Sequence, residues 1–275
     1  MAEFISTEQG SGFVALVTID NPPVNALKAT LLEELEAELL RLDEDEGTRA
    51  IVLRGAGDRA FVAGADIKEF PSLREAPPAE GGSARGIQKL GAAMDAMRTP
   101  VIAAIHGFCL GGGLELAMAC DLRVAAEGAQ LGQPEIKLGL IPGGGGTQRL
   151  PRLAGHGRAL LLNLTGDPIA ASLAYEWGLV ERVVPDGEQV EAATAIARTI
   201  AERSPHAVGV VKELAARTRD LPLDEGLRLE AEGFRRCLAS EDGAEGVAAF
   251  IEKREPSWTG RSTPRSASHF EGAPE

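Results

Sequence analysis

Positive charge is scarce in this sequence: 28 Lys and Arg stand against 41 Asp and Glu, a formal net charge of −13. That balance disfavours long-range attraction to nucleic acid or to an anionic membrane surface, so an anionic ligand has to be met by a local basic patch. Cysteine is scarcer still. Cys109, Cys120 and Cys237 form an odd set without metal-ligand or redox spacing, the pattern of reduced thiols in a cytoplasmic protein. The four histidines are scattered singly, which excludes an H-E-x-x-H helix or a Cys/His zinc cluster, and no metal is expected. No apolar run approaches the roughly 18 residues of a membrane span, and no membrane partner is expected. The first ten residues carry two acidic side chains and no basic one, so the chain reads as cytoplasmic and unprocessed.

What is present is ordinary globular chemistry: 275 residues, 44% hydrophobic and 25% charged, enough for one large domain or one domain with a small appendage. The β-rich run Phe13–Asp20 predicts a first strand, ended by Asn21, Pro22 and Pro23. Leu31, Leu32, Leu35, Leu39 and Leu42 then recur at helical spacing, with glutamates mostly on the other faces. Ile51–Leu53 and Val101–Ile105 read as strands, and Ile87, Leu90, Met94 and Met97 as a helix face between them. This alternation predicts the α/β class. Pro71–Gly86, dense in Pro, Gly, Ser and charge, predicts a mobile surface loop. The last third reads as mainly helical, with Val190, Ala193, Ile196, Ala197 and Ile200 on one stripe and Leu223, Leu227 and Phe234 on another. Pro256–Glu275 has little periodicity and reads as a frayed tail.

Three glycine-rich stretches can bring backbone close to a ligand: Ala63–Asp66, Gly107–Gly113 and Gly143–Gly146. Each taken alone is equally a set of tight turns. None fits a nucleotide fingerprint, because Gly113 is followed by Leu114-Glu115-Leu116 without a third glycine and Gly139–Thr147 lacks the Gly-Lys-Ser/Thr ending. Gly81–Arg85 misses a nucleophile elbow by its last residue. The triplet Gly111–Gly113 runs directly into an apolar helical segment, and a helix N-terminus with free N–H groups suits a developing oxyanion. Glu115 is the one ionisable group in that segment, so burial should raise its pKa. The bland alternative is a buried ion pair with Arg123. Glu135, between two glycine-rich segments, could complete an acid/base pair or be merely a carboxylate at a helix start. His106, single and at a strand end, reads as a hydrogen-bonded turn residue.

Taken together, the stretches Phe61–Ile67 (FVAGADI), Val101–Asp121 (VIAAIHGFCLGGGLELAMACD), Gly132–Glu135 (GQPE) and Ile141–Leu150 (IPGGGGTQRL) resemble the crotonase (enoyl-CoA hydratase/isomerase) superfamily. The similarity covers roughly Phe13 to Glu255, with Asn25-Ala26-Leu27, Leu164–Asp167 and Phe250–Arg254 adding to it. The resemblance implies a spiral of ββα units with a C-terminal helical trimerisation region. It divides the chain into a core with the active site over 1–190, an oligomerisation region over 191–255 and a flexible tail over 256–275. It further implies an acyl-CoA thioester substrate, no cofactor, and a homo-oligomer that is a trimer or a dimer of trimers.

Carried over by motif, the N–H groups of Ala63 and Gly112 would bind the thioester oxygen. Glu115 would help activate water, and Glu135 would deliver a proton to the α carbon. Ala65, Asp66, Ile67 and Gly143 would contact substrate or water. Two carboxylates point to hydration of a trans-2-enoyl-CoA, since isomerases commonly lack the first. Arg59 and Lys253 are candidates for the CoA phosphates, with plain surface charge as the alternative. An isomerase or other acyl-CoA enzyme of the same fold is the nearest rival, and a non-enzymatic CoA- or RNA-binding protein the more distant one, disfavoured by the acidic balance.

Overall fold

These periodicities resolve into two β-sheets with helices around them in a computed structural model that describes residues 2–69, 71 and 82–259. The strands are β1 (Ile5–Gln9), β2 (Val14–Ile19), β3 (Ala50–Gly55), β4 (Ala60–Val62), β5 (Val101–Ile105), β6 (Phe108–Leu110), β7 (Leu122–Ala126), β8 (Gln130–Gly132), β9 (Ile169–Ala170) and β10 (Arg182–Val184). The helices are α1 (Ala29–Glu44), α2 (Gly82–Ala96), α3 (Gly112–Ala119), α4 (Gly146–Ala154), α5 (His156–Thr165), α6 (Ala171–Glu176), α7 (Gln189–Ala201), α8 (Pro205–Arg217), α9 (Leu223–Leu238) and α10 (Glu241–Glu252).

The first sheet runs β1-β2-β3-β5-β7-β10 and is parallel except for the β1/β2 hairpin. The second runs β4-β6-β8-β9, parallel but for β8/β9. Each turn of the chain therefore places one strand in the first sheet, the next in the second, and follows with a helix: β3, β4, α2, then β5, β6, α3. That is the ββα coil the resemblance implied.

Side-chain alternation splits the first sheet between two cores. Val17, Ile19, Ile51, Leu53, Val101, Ala103 and Ile105 face the larger core, where the α1 stripe Leu31, Leu32, Leu35, Leu39 and Leu42 is buried. Each such leucine stabilises the fold by roughly 1.5–3 kcal/mol. Val14, Ala50, Val52, Ile102, Ala104 and Val124 face the other way and pack against Ala193, Ala197 and Ala201 of α7. A strand buried on both faces must be apolar throughout, which accounts for the unbroken VIAAI of β5.

The α7 stripe is thus consumed inside the chain. A first compact unit ends at Ala201 and a second begins at Glu202, so the boundary expected after residue 190 falls inside α7. In the second unit Ser204 caps α8, accepting from the Ala207 N–H at 3.1 Å and donating to buried Asp242 at 2.7 Å. The other Asp242 oxygen accepts the Thr259 N–H at 2.9 Å, and Trp258 Nε1 donates to the Glu202 carbonyl at 2.8 Å. Residues 256–259 of the anticipated tail are therefore tied down, and the remainder lies outside the described residues. The anticipated loop Pro71–Gly86 differs too: 82–86 open α2, and 72–81 are not among the described residues.

Candidate active site

Three neighbouring strands of the second sheet each end in a segment of the site: Ala63–Ile67 after β4, Gly111–Glu115 after β6, and Gln133–Glu135 after β8. Backbones approach closely here. A Cβ on Gly113 would collide with the Val62 carbonyl, and one on Gly111, which has φ +52°, would come within 2.7 Å of Glu135 Oε1. The glycine triplet lets the start of α3 slide between β4 and Glu135.

One turn into α3, Glu115 is only 2% exposed. Its Oε1 accepts two N–H groups of the third glycine stretch, Gly144 at 2.7 Å and Gly146 at 2.8 Å. Burial raises the carboxyl above its ordinary range, and the N–H groups of Gly144–Gly146 partly offset this by favouring the ionised form. One oxygen is anchored in this way. Arg123, the alternative partner, sits at the opposite end of α3, where it donates to the Cys120 carbonyl at 2.8 Å and the Leu179 carbonyl at 2.9 Å and pairs with Glu181 at 2.5 Å.

Glu135 belongs to the short 3-10 turn Pro134–Leu138. Burial, with the Glu115 charge adding to it, pushes its carboxyl up to about 7 despite a backbone hydrogen bond that opposes the shift. Gln133 is fully buried; with its amide nitrogen turned to Glu135 it donates to Oε1 at 3.2 Å and Oε2 at 3.1 Å. Sequence reasoning misses Gln133, although its place two residues before Glu135 is a signal. Because the ordinary carboxyl value is 4.5, stability from this group is complete below that pH and is lost as pH rises to about 7. Glu135→Gln removes that loss. The variant is expected to gain on the order of 1–2 kcal/mol over the parent between about pH 5 and about pH 8, after allowance for solvent screening. Chemical denaturation at both pH values measures it, and a pH-independent difference would contradict the burial argument.

The oxyanion assignment to Ala63 needs correction. Its N–H donates to the Val24 carbonyl at 3.1 Å and is already spent. Further along, Leu27 N–H donates to Gly64 O and Asp66 N–H to Leu27 O, both at 2.8 Å. In that parallel bridge the Ala65 peptide N–H points to the opposite side, where a Cβ on Gly112 would stand 3.4 Å from the Ala65 nitrogen. The adjacent donors are therefore Ala65 and Gly112, the latter at the first position of α3.

Among the other candidates, Asp66 Oδ1 accepts the Lys68 N–H at 3.1 Å and starts a 3-10 turn, leaving Ile67 exposed. The Gly143 carbonyl accepts from Gln88 Nε2 at 2.5 Å. The Arg59 side chain is exposed beside the β4 segment, and Lys253 ends α10 in the left-handed region within the second unit. His106 is buried, its carbonyl accepting the Phe61 N–H at 2.8 Å, and burial lowers its imidazole pKa. Among the described residues no cluster of His, Cys, Asp and Glu is arranged to hold a metal ion.

Alternating strands of two sheets, a glycine-rich helix start and a buried and a half-buried carboxylate, both with raised pKa values, define a crotonase-like α/β protein. Residues 9–261 match the family described as Enoyl-CoA hydratase/isomerase, and the chain belongs to that family. It is 42% identical over 246 residues to the short-chain-enoyl-CoA hydratase of Clostridium acetobutylicum, covering 88% of this chain and 93% of that protein. It is 41% identical over 242 residues to the crotonyl-CoA hydratase of Syntrophomonas wolfei, covering 88% and 92%. The crystal structure of enoyl-CoA hydratase from Bacillus anthracis superposes with a TM-score of 0.87 at 41% identity, over 94% of this chain and 100% of that one.

Proposed function

We propose that the chain is an enoyl-CoA hydratase, adding water across the double bond of a trans-2-enoyl-CoA to give the 3-hydroxyacyl-CoA. The observation that carries this reading is the unequal pair of carboxylates. Glu115 has Oε1 fixed by two backbone donors, which partly offset the upward push of burial on its pKa and leave Oε2 for a water. Glu135, raised to about 7, still holds a proton near neutrality. Glu115 then takes a proton from the attacking water, with the Gly143 N–H beside it, while Glu135 gives one to the α carbon. Such acid/base assistance supplies about 10²- to 10⁴-fold in rate. Negative charge builds on the thioester oxygen, and the N–H groups of Ala65 and Gly112 stabilise it, each worth roughly 10²- to 10³-fold. Neither step calls on a cofactor. Asp66 and Ile67 shape the substrate side of this loop, and Arg59 beside it answers the CoA phosphates.

Incubation with crotonyl-CoA and chiral chromatography of the product tests the reading: 3-hydroxybutyryl-CoA supports it, and no turnover of enoyl-CoAs of any chain length overturns it. A cytoplasmic location belongs to the same proposal, supported by the odd set of three cysteines without metal-ligand or redox spacing. No helix among the described residues is long and apolar enough to cross a membrane.

Assembly into a trimer or dimer of trimers belongs to the same proposal. Its support is the apolar surface of the second unit, where Leu223 is 78% and Phe250 86% exposed, with Phe234 and Ile251 also uncovered. Patches of this kind are rare on monomers. Light scattering is expected to give a multiple of three chains, and a 28.8 kDa particle at micromolar concentration would refute it.

A further inference from the structure

We propose that Gln88, on α2, is a positioning residue for Glu115 and acts through the single peptide unit that joins Gly143 to Gly144. Gln88 Nε2 donates to the Gly143 carbonyl at 2.5 Å, and the N–H of the same peptide, on Gly144, donates to Glu115 Oε1 at 2.7 Å. A trans peptide is planar and rigid, with C=O and N–H pointing in opposite directions. A donor on the carbonyl and an acceptor on the N–H therefore fix that plane from both ends. They also polarise it in the same sense, so each hydrogen bond strengthens the other.

The helix that carries Gln88 cannot drift from the loop. Ile87 and Leu90 are buried, and Ile87 packs so tightly that a Cβ on Gly144 would lie 2.8 Å from its Cγ2 and one on Gly112 2.9 Å from its Cδ1. A Cβ on Gly143 would in turn stand 2.9 Å from that of Ala84. Ile87 sets the distance between α2 and the glycine loop, and the next side chain closes on the loop's carbonyl. The Gly144 N–H stabilises the ionised carboxylate, so a more polarised peptide holds Glu115 ready to accept a proton. Glu135 is the titratable group that faces Glu115 across the site, and a substitution at Gln88 leaves it in place. The inference rests on the reading of Glu115 as the water-activating base.

Gln88→Leu keeps the size of the side chain and removes the donor, while Gln88→Lys keeps a donor at this exposed position. Hydration kcat is expected to fall roughly three- to tenfold in Gln88→Leu with KM within about twofold, and to recover in Gln88→Lys. Carbon-13 NMR of glutamate-labelled protein, with the Glu115 signal assigned by its loss in Glu115→Gln, reads the carboxyl directly. Its titration midpoint is expected to rise by about half a pH unit in Gln88→Leu and to return in Gln88→Lys. An unmoved midpoint in Gln88→Leu overturns the proposal, as does an equal loss of kcat in both variants. A midpoint that moves in an enzyme without hydratase activity would uphold the peptide relay and defeat the functional reading instead.

Discussion

Glu135→Gln is expected to lose hydration and α-proton exchange together, whereas Glu115→Gln loses hydration by roughly 10²-fold or more and keeps a larger share of exchange. The asymmetry comes from how the two carboxyls are held. Glu115 is buried on α3 with Oε1 bound to Gly144 and Gly146, which in the proposed mechanism leaves its other oxygen to act on water. A glutamine there retains the shape and one acceptor for the glycine N–H groups but takes up no proton. Glu135, with a carboxyl raised to about 7, and the Ala65/Gly112 donors remain, and they suffice to move a proton at the α carbon of a bound thioester. Removing Glu135 takes away the group common to both reactions. Deuterium incorporation into an acyl-CoA, followed by mass spectrometry beside the hydration rate, measures the pair. Equal loss of both activities in Glu115→Gln would show that the two glutamates act as one unit.

Gly112→Pro should cost at least about 10²-fold in turnover, the expected effect of losing one oxyanion donor. Gly112 is the first residue of α3, where proline fits the backbone and where the N–H has no partner within the helix. The change removes a donor at a position the helix backbone tolerates, its added Cβ displaces the far end of the Ile87 side chain, which would otherwise stand 2.9 Å away, and the Ala65 N–H remains alone to meet the developing charge. Circular dichroism and Tm verify the fold of the variant. Folded protein with parental turnover would place the oxyanion elsewhere.

The sequence carries the architecture wherever burial writes a period into the chain. The five leucines of α1 and the uninterrupted apolar run of β5 are where their spacing puts them, because one face or both faces of those elements meet a core. Hydrophobic spacing does not say which partner covers a face. The α7 stripe reads as part of an oligomerisation region, yet it covers the first sheet through Ala193, Ala197 and Ala201. Composition misleads at 82–86, where Gly, Ser and Arg suggest loop and the segment opens a helix whose apolar face begins at Ile87. The carboxylates are legible as rare ionisable groups among apolar and glycine residues. The donor at Ala65 rather than Ala63 is not, because both peptides occur in the same motif. Only the pairing of Val24 with Ala63 and of Leu27 with Gly64 and Asp66 decides which N–H is free.

Strands β4, β6 and β8 lie side by side in the second sheet, and just beyond their ends stand Ala65, Gly112 and Glu135. Neighbouring strands are spaced at about 4.8 Å, so the sheet acts as a ruler, with the two proposed oxyanion donors and then the proposed acid at successive graduations. Hydrogen-bonded backbone sets these intervals, and side-chain repacking alters them little. A single residue inserted between Val62 and Ala65 would leave the ruler intact but turn the first graduation over, carrying its N–H to the far side of the chain. The protein would fold with its carboxylates in place and the first of the two proposed oxyanion donors facing away.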